Sequence, residues 1–159
     1  MISPATTLFR LRRFLLVLSI LLFGGTVVEL SLVKHWGDVV QLIPFGLCGL
    51  GALAALLALF RPRRATLLGL RVCMGVVMCG SLFGIYEHFS NNIAFQREIK
   101  PSATMSEVLV SAVAGGSPLL APGTLAVAAL LALAASYNHP ALENQNEEDG
   151  LKLMSEPPA

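Results

Sequence analysis

Residues 39–60 read VVQLIPFGLCGLGALAALLALF, without a single charged side chain. A helix rising about 1.5 Å per residue carries such a run across the roughly 30 Å hydrocarbon core of a bilayer. Three other stretches have the same character: 14–33, 67–89 and 118–137. The expectation is an all-α membrane protein, a four-transmembrane-helix bundle. Composition agrees: 55% of the 159 residues are hydrophobic and 13% are charged, against about 25% charged in an average soluble domain. No loop is long enough for a separate soluble domain, so residues 1–142 read as one membrane domain.

The arginines set the expected orientation. Arg10, Arg12 and Arg13 precede the first stretch, and Arg61, Arg63 and Arg64 separate the second from the third. Short basic loops stay in the cytoplasm, so both termini are expected there, in a multi-pass protein of the inner (plasma) membrane. The N-terminal arginines also resemble the start of a signal peptide. Glu29, Leu30 and Leu32 occupy the region where cleavage would fall, so the segment reads as a retained anchor. Arg71, one turn inside the third stretch, is expected to snorkel to the cytoplasmic headgroups. The net charge of +1 comes from small, scattered clusters, which excludes a nucleic-acid-binding face. Residues 143–159 are polar and acidic and read as a disordered cytoplasmic tail.

The connection from Asn91 to Ser117 is the longest. Thr104 and Glu107 have capping-box spacing. Met105, Val108, Leu109, Ala112 and Val113 follow at helical intervals, until Gly115 and Gly116 stop them. The spacing predicts a short amphipathic helix over 104–114, lying against the outer membrane face between spans three and four.

Polar groups in or beside the spans are the candidates for function. Glu29 lies in the first apolar stretch. A carboxylate there must face other helices, water or a cation, and Gly25 and Thr26 share its face. It reads either as a proton or cation site or as a hydrogen-bonded carboxyl that holds the bundle together. A polar partner is expected from Gln41, His88 or Tyr86. Glu29, Gln41, Tyr86, His88, Asn92 and Glu98 form the expected polar cluster at the outer end. Glu29, His35, Asp38, Glu87 and His88 are the metal candidates, if spans one and three are neighbours. No His-x-x-x-His or Cys/His motif supports a metal. Gly80, Gly84 and His88 recur every four residues, which suits helix packing or, less directly, a haem held by His88. No cofactor is expected. Cys48, Cys73 and Cys79 form no C-x-x-C pair and read as packing residues. No nucleophile–base pair or phosphate loop stands out, so no catalytic residue is assigned.

Several motifs carry a resemblance. They are His35 with Gln41-x-x-Pro44, then Gly84-x-x-x-His88-x-x-x-Asn92-x-x-Phe95-x-x-Glu98-x-x-Pro101, Pro118-Leu-Leu-Ala-Pro122-Gly123 and His139-Pro140-Ala141-Leu142. From His35 to Leu142 the chain resembles a family of small, uncharacterised bacterial four-span integral membrane proteins. In that pattern an acidic residue often precedes the phenylalanine, where this chain has Ala94. The resemblance implies the architecture and a bacterial membrane but names no activity.

Three functional expectations follow. The first is a structural or accessory component, packing with itself as a homo-oligomer or into a larger membrane complex through small-residue faces such as Gly51-x-x-x-Ala55 and Gly80-x-x-x-Gly84. The second is a small proton-coupled transporter that uses Glu29, similar to the small multidrug-resistance transporters. The third is a metal- or haem-binding protein that uses His88.

Overall fold

The computed structural model describes residues 3–113 and 120–142. They form five helices in the order α1 (Pro4–Leu32), α2 (Val39–Phe60), α3 (Arg64–Ile99), α4 (Met105–Val113) and α5 (Leu120–Ser136). The protein is all-α over these residues. α1, α2 and α3 are long and apolar enough to cross a membrane, and α5 contains a shorter apolar helix, Pro122–Ser136. The expected tail over 143–159, residues 118–119 of the fourth stretch, and Ala114 with Gly115 and Gly116 lie outside the described residues.

Two helices overrun the apolar stretches. α1 begins at Pro4, ten residues before Phe14. Ser3 caps it by accepting a hydrogen bond from the Thr6 N–H at 3.2 Å, and Pro4 suits a first turn that needs no donor. α3 runs for 36 residues, about 54 Å at the α-helical rise, and does not stop at Phe89. Asn91, Asn92, Gln96, Arg97 and Glu98 mark where the chain leaves an apolar environment. None of them breaks a helix, so α3 continues to the turn before Pro101.

Four helices close a ring in which α1 meets α2, α2 meets α3, α3 meets α5 and α5 meets α1. α2 and α5 also touch across the middle, whereas α1 and α3 do not. The cross-section is a rhombus, with α1 and α3 at the far corners. The core is small-sided: Ala54, Ala55 and Ala58 of α2 and Ala128, Ala129, Ala132 and Ala135 of α5 are buried. Phe23 of α1 is fully buried against Gly51, where any Cβ would collide with the ring. Two buried serines tie α5 in place. Ser19 donates to the Ala128 carbonyl at 2.8 Å and Ser81 to the Pro122 carbonyl at 2.6 Å.

Arginines close the other end of α5. Arg12 donates to the Tyr137 and Asn138 carbonyls at 3.1 and 2.6 Å. Arg71 donates to the Ser136 hydroxyl and carbonyl at 3.1 and 2.9 Å. Arg71 is therefore anchored on a neighbouring helix and not simply extended towards headgroups. The last carbonyls of a helix have no intrahelical donors, and a guanidinium there is favourably placed in the helix dipole.

α4 contacts α3 and no other described helix. The buried Asn92 side chain donates to the Ala112 carbonyl at 3.0 Å, and Arg97 reaches the Met105 sulfur at 3.6 Å. These pairs set α4 antiparallel to the projecting end of α3. Val108 and Ala112 face that end, while Met105, Leu109, Val110 and Val113 are exposed. The stripe expected to form one apolar face is thus divided between α3 and the surroundings. The Thr104–Glu107 box is present: the Glu107 carboxylate accepts from the Thr104 N–H at 2.8 Å and from its hydroxyl at 2.9 Å.

Candidate functional site

The end of the ring remote from the arginines contains a cavity of about 710 Å3. It lies where α1 and α3 stand apart. Three local features open it.

The first is the end of α1. Lys34 adopts a left-handed conformation with φ 54°. The His35 N–H then reaches the Leu30 carbonyl at 2.9 Å and the Lys34 N–H reaches Ser31 at 3.2 Å. This is a Schellman ending, made with a lysine where glycine is usual. It turns the chain sharply and delivers His35 and Asp38 to the cavity wall. The second is Pro44 in α2, which has no N–H to offer the Val40 carbonyl; both residues line the cavity. The third is the end of α5, where Pro122 packs at the level of Ser81 and Gly84 and α3 continues beyond it to Ile99.

The wall has two zones. By position along the helices, the inner part holds Thr26 of α1, Leu47 of α2, Phe83 of α3 and Leu125 of α5, and Glu29, Leu30 and Ile43 come next. Nearer the mouth the wall carries His35, Asp38, Gln41, Glu87, His88 and Asn91. Neither lysine nor arginine lines it among the described residues. The His35 and His88 rings are nearly parallel, 12° between planes, with centroids 6.4 Å apart. The turn after α1 thus reaches α3 although the two helices do not touch.

Of the expected cluster, Glu29, Gln41 and His88 share this cavity; Tyr86, Asn92 and Glu98 do not line it. Tyr86 is 64% exposed on the outer surface of α3. Asn92 is committed to α4, and Glu98 lies near the end of the α3 projection. Glu29 makes no side-chain hydrogen bond among the described residues. The partners expected for it are absent: the Gln41 side-chain oxygen accepts from the Gly37 N–H at 2.7 Å, and Tyr86 points elsewhere. All five metal candidates reach the cavity wall. No group of three or more His, Cys, Asp or Glu side chains close enough to hold a metal occurs among the described residues.

The glycines below His88 are filled. A Cβ on Gly80 would collide with the Leu47 side chain, and one on Gly84 would meet Pro122 at 3.0 Å. The groove that suggested a haem seats two neighbouring helices. The three cysteines are free thiols, with Cys48 buried and Cys79 exposed. Family models, curated proteins and solved structures gave no match to this chain.

Sequence reasoning missed the depth of the site. Leu30, Ile43, Leu47 and Leu125 look like any other span residues. Pro44 was the signal, because it frees a carbonyl within an apolar helix.

Proposed function

We propose that this chain is a four-span membrane protein that binds an amphiphilic small molecule in the cavity at the outer end of its helices. The two arginine-rich ends stay in the cytoplasm under the positive-inside tendency. α5 is the fourth span, and the Val113 end of α4 rests at the outer interface. The observation that carries the reading is the two-zone cavity. Residues from the turn after α1, from α2 and from α3 bring polar groups to one mouth, Glu29 of α1 lies below them, and the inner part is largely apolar. Sites for small molecules have this construction, mostly apolar with a few convergent polar groups, and occupy about 300–1,000 Å3.

The packing favours this reading over two others. The small-residue faces that suggested an accessory subunit are used within the chain: Gly51 by Phe23, Gly80 by Leu47, Gly84 by Pro122. Passage across the membrane would need a path beyond the inner part of the cavity, where Phe23 is wholly buried. Binding therefore fits better than transport in this conformation.

Trp36 is the single tryptophan, one residue from His35 in the turn over the mouth. Its emission in lipid nanodiscs should change saturably as single-chain amphiphiles are added. Leu30→Phe and Ile43→Phe, which narrow the cavity between α1 and α2, should abolish the saturable phase while the protein remains folded. Emission that changes only in proportion to added amphiphile, equally in wild type and filled variants, counts against the site.

A further inference from the structure

The charge on the cavity wall selects among amphiphiles. Glu29, Asp38 and Glu87 supply three carboxylates to the wall, and no lysine or arginine among the described residues lines it. Asp38 stands at the start of α2, where an aspartate often caps, but its side chain makes no cap bond there. Glu29 is likewise without a hydrogen bond among the described residues. Pro44 leaves the Val40 carbonyl without its usual helical donor, which adds acceptor capacity on the same wall. Glu29 and Asp38 are exposed and Glu87 is half-buried; near a membrane boundary charges so placed favour a ligand of opposite sign.

Shape restricts the tail. The cavity follows α3 from Asn91 down to Gly80, about 16 Å along the helix. Thr26, Leu47 and Leu125 line its inner end. A volume of about 710 Å3 is that of a drug-sized molecule and is too small for a two-chain phospholipid.

We infer that the occupant is a single-chain cationic amphiphile. Its ammonium head lies among Glu29, Asp38 and Glu87, and its chain descends towards Leu47 and Leu125. This rests on the cavity being a binding site, as proposed above.

Full-length protein in phosphatidylcholine nanodiscs tests it, with Trp36 emission as the readout. Three probes share one alkyl chain: dodecyltrimethylammonium, dodecyl glucoside and dodecyl sulfate. The cation should bind saturably and about tenfold or more tighter than the glucoside, as a charge-assisted contact implies. Dodecyl sulfate should bind weakest. Glu29→Gln and Asp38→Asn, which sacrifice no hydrogen bond, should each weaken the cation severalfold and leave the glucoside unchanged. Equal binding of the three probes, or tighter binding of the sulfate, overturns the cationic ligand and leaves the cavity reading standing. Displacement of the cation by phosphatidylethanolamine added to the nanodisc overturns the single-chain ligand in favour of a bilayer headgroup. If no probe saturates, both readings fall together.

Discussion

Ser81 and Glu29 show how differently two polar residues in apolar helices are used. Ser81 is fully buried and donates to the Pro122 carbonyl on α5. Ser19 does the same from α1 to Ala128. Each is expected to contribute about 1 kcal/mol, the scale of hydrogen bonds between helices in membranes. Ser81→Ala and Ser19→Ala should therefore lower the midpoint of unfolding in a denaturing-detergent titration, and the double variant should lose close to the sum, because the two bonds share no partner. Glu29 ties no helices together. Its removal should leave that midpoint almost unchanged in both Glu29→Gln and Glu29→Leu. Loss of assembly in Glu29→Leu alone would restore the carboxylate as a structural bond. The sequence made Glu29 conspicuous, because a charge in an apolar run has an obvious cost. It hid the serines, because their acceptors are backbone carbonyls of α5 and carry no residue signature.

Element boundaries divide along the same line. The start of α4 was legible: Thr104 and Glu107 have the spacing of a reciprocal cap, and the bonds form. The end of α3 was not. A fall in hydropathy at Asn91 marks a change of surroundings, whereas a helix ends where its backbone loses donors or meets a proline. Asn92 became part of an α3–α4 hairpin for the same reason, since its partner is a carbonyl twenty positions away. The cap gives α4 a pH dependence. The Thr104 backbone N–H and then its hydroxyl hold the Glu107 carboxyl below the usual carboxylate range. A depressed value in the folded state means the stabilisation is complete above the ordinary glutamate range and is lost as pH falls through the folded value. Hydrogen exchange at residues 105–108, corrected for intrinsic rates, should show protection falling on acidification through that range. Glu107→Ala should begin at the lower protection and show no such step. Protection independent of pH in the wild type would mean that the cap does not hold α4.

At the scale of the whole molecule, the rhombic ring accounts for the site. Contact between α2 and α5 closes the core through alanines. The α1–α3 diagonal is long, and at one end no described helix fills it. Four apolar runs and two arginine clusters predict the helices and their direction, but not which pair stands diagonally. From the sequence, a meeting of Glu29 and His88 requires that spans one and three be neighbours. The structure brings both to one cavity because those helices are apart, with the His35 turn reaching across the gap to within 6.4 Å of the His88 ring. The central claim is that this gap is where a ligand sits. Photolabelling tests it most directly: an alkylammonium with a photoreactive group on its chain is activated on nanodisc-embedded protein, and the adducts are located by mass spectrometry. The account predicts saturable adducts on 30–47, on 80–91 and on Leu125, suppressed by unlabelled dodecyltrimethylammonium. Adducts spread without saturation over outward-facing positions such as Leu53, Val72 and Val127 would contradict it.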